Sequence, residues 1–276
     1  MSIGKRVTLN NGVKMPQFGL GVFQSKEGPE VENAVRAAID FGYRHIDTAA
    51  IYGNEEGTGK AVRDSGIARE HMFITTKVWN SAQREGKVRE ALEDSLRKLD
   101  IGYIDLYLIH WAVPGTYVDT WLTLEKLYAE GKIKAIGVSN FYEPHFEDVI
   151  SAGDIIPTVN QVELHPFLRL AELQSYLKQK GCYIEAWSPL MQARPELFEL
   201  PTLQNIAEEH SKSVAQVILR WHWQHDIVII PKSVNPSRIA ENGSIFDFEL
   251  SAAEMTAIDE LDKNQRIGPH PSNFDF

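Results

Sequence analysis

Eight short apolar runs, each followed by a longer stretch of helical repeat, constrain this 276-residue chain more than any other feature. The runs are 18–21, 45–47, 73–77, 104–110, 135–139, 158–163, 183–187 and 228–231. Strands buried on both faces read as near-continuous apolar runs, as Ile104-Asp105-Leu106-Tyr107-Leu108-Ile109 nearly does. Between them, Ala34, Val35, Ala38 and Ile39 make an apolar stripe with Arg36 and Asp40 off it. Ala91, Leu92, Ser95, Leu96 and Leu99 make a second stripe, and Trp121, Leu124, Leu127 and Tyr128 a third. Ahead of the first run, residues 7–9 and 13–15 flank Asn10-Asn11-Gly12, a hairpin signal.

Repeated strand–helix units with right-handed crossovers close in two ways, as an open doubly wound sheet or as an eightfold barrel. Eight units in about 230 residues favour an α/β fold of the (β/α)8 TIM-barrel type, with an N-terminal β-hairpin added. No linker, charge block or low-complexity tract divides residues 1–276, so one domain is expected. A dinucleotide fingerprint is absent, because Gly19-Leu20-Gly21-Val22-Phe23-Gln24 carries Gln where the third glycine belongs. Neither a Walker loop nor His-Glu-x-x-His occurs, and no metal site is expected.

Composition narrows the partners. Apolar residues at 43% and charged residues at 24% describe an ordinary globular protein. The formal net charge of −10 argues against a nucleic-acid binder and against an anionic membrane surface. Cys182 stands alone, so no intrachain disulfide forms, and its place in Gly181-Cys182-Tyr183-Ile184-Glu185 reads as a small buried hydrophobe. The start, Met1-Ser2-Ile3-Gly4-Lys5-Arg6-Val7, lacks the apolar core of a signal peptide, and no apolar run approaches a membrane span. A cytoplasmic protein is expected.

In a barrel, chemistry lives where strands end. The polar residues there are Asp47, Lys77, His110, Ser139 with Asn140, Gln161 with Glu163, Trp187 with Ser188, and Lys232. Tyr52 follows Asp47 by five residues, ahead of the next helix. Asp47 can pair with Lys77, which offsets the desolvation of an interior cation. The Lys77 charge beside Tyr52 is expected to lower the phenol pKa and ready it to pass a proton. His110 can donate a second hydrogen bond to the same substrate oxygen. A tyrosine acid suits carbonyl reduction, in which hydride reaches carbon and a proton reaches oxygen. Spacing alone leaves Asp47–Lys77 open as a structural ion pair, His110 as a core histidine and Tyr52 as a packing side chain. Their joint placement reads as a barrel enzyme with an acid–base cluster.

At these residues the sequence resembles the aldo-keto reductase superfamily. The resemblance rests on Gly42-Tyr43-Arg44-His45-Ile46-Asp47-Thr48-Ala49 with Tyr52-Gly53-Asn54-Glu55, Thr76-Lys77-Val78-Trp79, and Leu108-Ile109-His110-Trp111. Ile136-Gly137-Val138-Ser139-Asn140-Phe141 and Asn160-Gln161-Val162-Glu163-Leu164-His165-Pro166 add to it, as does Ile230-Pro231-Lys232-Ser233 with Arg238, Glu241 and Asn242. It runs from about Val7 to Phe276 and is nearest to the short microbial branch: diketogluconate reductases, glyoxal and methylglyoxal reductases, and protozoal prostaglandin F synthases.

The resemblance implies an NADPH-dependent oxidoreductase without a Rossmann domain, acting as a monomer on small carbonyl substrates. Tyr52 is then the proton donor, His110 orients the carbonyl, and Lys77 and Asp47 tune Tyr52. Ser139, Asn140 and Gln161 hold the nicotinamide carboxamide, and Trp187 stacks on the ring. Ser188, Leu190, Gln192 and the backbone near Val22 and Phe23 line the pyrophosphate and ribose. Ile230, Lys232, Ser233, Val234 and Arg238 surround the adenosine 2′-phosphate, and Glu241 and Asn242 contact adenine. Phe23, Trp79 and Trp111 form an apolar substrate rim beside Tyr52 and His110.

Three departures from the family pattern stand out: Thr58, Ala112 after His-Trp, and Ala193-Arg194-Pro195. The last two lie at the expected pocket rim and bear on substrate choice. The loop after His110 is short, reaching Trp121 in eleven residues. The tail aromatics Phe274 and Phe276 are open to two readings, a cover over the barrel mouth or a disordered end. Two other functions compete. A nucleotide sensor would bind without turnover. A Schiff-base enzyme would use Lys77, which a neighbouring Asp47 opposes by favouring the charged amine.

Overall fold

The computed structural model describes residues 2–274 and 276; Met1, the first residue of the stretch expected to lack a signal peptide, and Asp275 lie outside that description. The hairpin forms as expected, with β1 (Arg6–Thr8) antiparallel to β2 (Lys14–Pro16). Eight parallel strands follow: β3 (Leu20–Gly21), β4 (His45–Asp47), β5 (Phe73–Val78), β6 (Ile104–Ile109), β7 (Ile133–Ser139), β8 (Val159–Glu163), β9 (Tyr183–Trp187) and β10 (Val228–Ile229). Each pairs with its successor in sequence order. The first and last meet at a seam. Phe18 bridges Ile229 and Gly21 bridges Lys232, while the Gly19 and Gly21 amides donate to the carbonyls of Ile229 (2.9 Å) and Pro231 (3.2 Å). The runs at 18–21 and 228–231 are thus real, but only two residues of each are regular strand. The rest serve the closure.

The crossovers are α1 (Pro29–Phe41), α2 (Glu55–Asp64), α3 (Asn80–Arg84), α4 (Val88–Leu99), α5 (Tyr117–Ala129), α6 (Glu143–Ala152) and α7 (Ala171–Gln179). After β9 come α8 (Pro195–Phe198), α9 (Pro201–Glu209) and α10 (Val214–Gln224), and β10 leads to α11 (Pro236–Gly243) and α12 (Ala252–Asp259). The rule of one helix per strand therefore fails after β5, β9 and β10. In α1 the stripe Val31, Ala34, Val35, Ala38 and Ile39 is buried, proline sits in the first turn, and Gly42 at φ 116° ends the helix in a conformation that suits glycine. In α10, Ser213 and Gln216 form a capping box. The loop after His110 is shorter than expected, since α5 starts at Tyr117.

The apolar core has two parts. The larger lies between the barrel wall and the helices and takes Ile46, Ile74, Ile136, Val138, Val162 and Ala186 from the strands. The smaller fills the barrel, where Phe73, Leu106, Leu108, Ala135, Val159 and Val228 meet Val7, Leu9 and Met15 of the hairpin. The hairpin thus plugs the N-terminal end of the strands. Alternation along each strand sends every second residue inward, so the same rows that start apolar end in Asp47, Lys77, His110, Ser139 and Gln161 at the opposite end.

Candidate active site

A cavity of about 660 Å³ opens at that end of the barrel. Sixteen of the expected residues line it: Phe23, Asp47, Tyr52, Trp79, His110, Trp111, Ser139, Asn140, Gln161, Trp187, Ser188, Leu190, Gln192, Ile230, Lys232 and Arg238. Lys77 lies just behind the wall. Val22, Ser233, Val234, Glu241 and Asn242 do not line it.

The centre is ionic. The buried Lys77 ammonium donates to Asp47 Oδ1 at 2.6 Å and to the Thr48 carbonyl at 2.9 Å. It lies 5.1 Å from the centre of the Tyr52 ring. Tyr52 ends a single 3-10 turn, Ala50–Tyr52, closed by Gly53 at φ 65°. That turn is fixed through Asn54, which accepts from Thr48 Oγ1 at 2.7 Å and donates to the Val22 and Ser25 carbonyls at 2.8 and 3.0 Å. Val22 therefore serves this end of the barrel through its backbone, with its side chain buried.

Burial alone would push the Lys77 pKa down, yet Asp47, Tyr52 and Glu185 together hold it above the ordinary lysine value. An amine held charged is a poor Schiff-base nucleophile, which removes the support for that reading. Tyr52 corrects an expectation. Burial, its largest influence, raises the phenol pKa above 10, and Lys77 only partly offsets this. The charge beside it acts as expected, but desolvation outweighs it. His110 is pushed well below 6.5, first by burial and then by Lys77, so its imidazole is neutral at pH 7. Its Nδ1 is buried without a partner among the described residues, which leaves Nε2 to serve the cavity. The Tyr52 and His110 rings meet edge to face at 5.7 Å.

Beside this centre, a polar ladder links three strand ends. Ser139 Oγ donates to the Gln161 carbonyl at 2.8 Å. Asn140, at φ 60°, donates to the His110 carbonyl at 3.0 Å and accepts from the Trp187 indole at 2.9 Å. Asn140 thus fixes an aromatic plate and the strand end that carries His110. Gln161 Nε2 donates to Asp47 Oδ2 and to Glu185 Oε2, each at 2.8 Å.

The far end of the cavity is cationic. Lys232 and Arg238 are exposed, and among the described residues neither pairs with a carboxylate. Asn235 caps α11 through the amides of Ser237 and Arg238, while Ser233 accepts from the Asn235 amide at 3.1 Å. Val234 is exposed, Asn242 is buried and Glu241 is exposed on α11. Gln24, Asn140, Ser188, Gln192 and Ala193 all have positive φ, so strained backbone gathers around this mouth.

The rim is aromatic. Phe23 packs 4.9 Å from Tyr52, and Trp79 packs 5.0 Å from His110. The tail covers this side: Phe276 stacks on Trp79 at 5.9 Å, and Phe274 lies 5.0 Å from Trp111. The Phe276 carbonyl accepts from Asn80 at 3.0 Å and Arg84 at 2.7 Å. The covering reading of the two tail aromatics therefore describes the structure.

Two acids carry more than the sequence reading gave them. Glu163 accepts from the Ile267 and Gly268 amides at 2.6 and 3.0 Å, which seats the tail against Trp187. Glu185 is buried beneath Gln161, and its neighbours in sequence gave no sign of it beyond an acid inside an apolar strand. Among the described residues, no group of His, Cys, Asp or Glu is arranged to hold a metal ion, and no helix is long and apolar enough to cross a membrane.

Comparison with known proteins agrees with this geometry. The profile described as Aldo/keto reductase family matches residues 17–263. The chain is 54% identical over 275 residues to a glyoxal reductase of Bacillus subtilis (strain 168), covering 100% of this chain and 99% of that protein. It is 51% identical over 269 residues to a 9,11-endoperoxide prostaglandin H2 reductase of Trypanosoma cruzi (strain CL Brener), covering 97% and 95% of the two chains. Its fold superimposes on a mutant of Gox0644 in complex with NADPH with a TM-score of 0.92, at 41% identity and 99% coverage of both chains. The chain is an oxidoreductase and belongs to the aldo/keto reductase family.

Proposed function

We propose that this chain reduces aldehydes, dicarbonyls and ketones to alcohols with NADPH, and that Tyr52 donates the proton. The observation that carries the reading is the convergence of a phenol, a buried ammonium and a neutral imidazole on one cavity: Lys77 lies 5.1 Å from the Tyr52 ring centre, and the His110 ring 5.7 Å from it. The same cavity reaches the cations Lys232 and Arg238.

The donor set fits the dinucleotide. Trp187 offers a plane for the nicotinamide, Ser139 and Gln161 offer polar atoms beside it, and Ser188, Leu190 and Gln192 line the path outward. Lys232 and Arg238 suit the doubly charged 2′-phosphate that distinguishes NADPH from NADH. When bound, the cofactor supplies hydride to the carbonyl carbon. His110 donates through Nε2 to the carbonyl oxygen and so fixes the face presented. Tyr52, kept protonated by burial, gives its proton only as that oxygen gains alkoxide character, and the new charge on the phenolate is met by Lys77. Asp47 keeps the ammonium charged and in place.

The Bacillus subtilis and Trypanosoma cruzi relatives support small dicarbonyls and more extended oxygenated substrates alike, and the aromatic rim Phe23, Trp79 and Trp111 suits apolar substituents. Residues 1–276 act on this reading as one catalytic unit, because the catalytic and the cationic ends share one cavity, and as a monomer, as the family resemblance implies. The acidic chain with its single, buried cysteine suits a reducing cytoplasm.

Tyr52→Phe tests the proposal. Turnover of methylglyoxal, followed by loss of NADPH absorbance, is expected to fall by about 10²–10⁴-fold. NADPH should still quench the tryptophan fluorescence. Turnover within a few-fold of the parent overturns the proton-donor assignment, and quenching with no turnover in the parent supports a sensor instead.

A further inference from the structure

Among the described residues, Gln161 joins two buried carboxyl groups, Asp47 and Glu185, beside a single ammonium, that of Lys77. Asp47 takes the ammonium of Lys77 at 2.6 Å. Glu185, fully buried on β9, is left with one donor: Gln161 Nε2 reaches its Oε2 at 2.8 Å. Its Oε1 has no hydrogen-bond partner among the described residues. The same Gln161 nitrogen donates to Asp47 Oδ2, so a single amide joins the two carboxyls.

Among the described residues, the surroundings supply no second charge. On β4, His45 Nε2 lies 3.7 Å from Glu185 Oε1 but is also 3.1 Å from Thr75 Oγ1. Its ring occupies the space left by Gly19, where a Cβ would come within 2.6 Å of Nδ1. Burial lowers its pKa to about 3, so it is uncharged. On β5 the charged neighbour is Lys77, already engaged. On β8, Glu163 turns its carboxylate to His165 and the tail amides. On β10 the registered neighbour is Val228, which does not titrate, and the Tyr52 phenol is near enough for a Glu185 charge to raise its pKa. An ionised carboxyl with one neutral donor in such a place is among the costliest arrangements in a protein. A protonated one carries no charge to desolvate: Oε2 accepts from Gln161, and the acid hydrogen on Oε1 faces the uncharged His45 Nε2 3.7 Å away.

We propose that Glu185 is a positioning residue of the reductase site, an acid beneath the Asp47–Lys77–Tyr52 cluster that governs proton donation by Tyr52 through Gln161. The inference rests on the reading of Tyr52 as proton donor. The proton that ends on the product hydroxyl is the Tyr52 proton, and the Glu185 proton is not transferred. With Glu185 uncharged, Asp47 and Lys77 balance, and Lys77 is free to receive the phenolate. Once Glu185 ionises, two carboxylates share Lys77 and the phenolate is disfavoured. Burial, and then the Asp47 charge, push the Glu185 pKa up to about 8, which places this change just above neutral pH.

The test is the pH profile of kcat for Glu185→Gln with Tyr52 intact. The amide keeps an oxygen for Gln161 and cannot ionise. In the parent, kcat for reduction is expected to fall about tenfold above pH 8, the effect of one pH unit in the proton affinity of Tyr52. In Glu185→Gln that limb should vanish, with the KM for NADPH unchanged. A variant profile that superimposes on the parent overturns the proposal. Infrared spectra keep it testable if the variant does not fold. Tyr52→Phe protein should show a protonated-carboxyl stretch at pH 7 that is lost as the pH passes 8. A spectrum without that band overturns the role of Glu185 and leaves the Tyr52 assignment standing, whereas full turnover in Tyr52→Phe overturns the latter alone.

Discussion

Replacing Lys77 with methionine removes one half of a buried ion pair and keeps the length of the side chain. Nζ and Asp47 Oδ1 are 2.6 Å apart, with side chains 0% and 3% exposed. Removing one partner of such a pair costs about 3–5 kcal/mol, because the other charge is left without compensation in a medium that cannot solvate it. For a chain of this size each kcal/mol lowers Tm by about 2–3 °C, so a fall of about 6–15 °C is expected. The double variant Lys77→Met, Asp47→Asn has no charge to strand and should recover at least half of that loss, giving a coupling energy of about 2 kcal/mol or more. Sign matters for pH. Burial already holds the Asp47 carboxyl above its ordinary 3.8 in the intact site. Without Lys77 it rises further, so the folded single variant binds more protons than its unfolded chain. Its stability is then greatest in mild acid and is lost as pH rises through the folded pKa of Asp47. The assay is urea unfolding followed by tryptophan fluorescence at pH 5, 7 and 9. A single variant within about 1 kcal/mol of the parent, or a double variant as unstable as the sum of the two singles, would refute the reasoning.

Two further outcomes are expected. Lys232→Ala should weaken NADPH far more than NADH, by about 10-fold or more for the loss of one charge-assisted contact to phosphate, as read by fluorescence titration; equal weakening counts against Lys232 as a 2′-phosphate ligand. Glu185 also leaves a mark on stability. Its pKa of about 8 against an ordinary 4.5 means that the folded chain holds the proton more tightly. Stability should therefore fall as pH rises from about 4.5 to about 8 and level off above, by up to about 5 kcal/mol from this one group. Glu185→Gln should lack that slope, and an identical slope in both proteins excludes Glu185 as its source.

The eight strands were legible because both rules that govern them are local: apolar runs of three to seven residues, and polar residues where those runs stop. Asp47, Lys77, His110 and Tyr52 could be brought together from their positions alone. The direction of the Tyr52 pKa could not, since the spacing shows the neighbouring charge but not the depth of burial that outweighs it. Glu185 was illegible for a related reason. An acid inside an apolar strand has no local signature of a partner, and Gln161 lies 24 residues away. The tail was legible only as an alternative, because its seat is made by Glu163, Asn80 and Arg84, far from it in sequence. The fate of the runs at 18–21 and 228–231 was likewise decided by a pairing that no window of sequence contains.

That pairing has a consequence for how the molecule is assembled. Phe18 must find Ile229, and Gly21 must find Lys232, across more than two hundred residues of intervening chain. Bringing such distant points together is entropically unfavourable until everything between them is in order, so the join should be among the last events of folding and the first to loosen on heating. A ligand that spans from Phe23 to Lys232 would stitch that join from outside, and saturating dinucleotide should protect the amides of Gly19 and Gly21 from hydrogen exchange more than those in the middle of the cylinder.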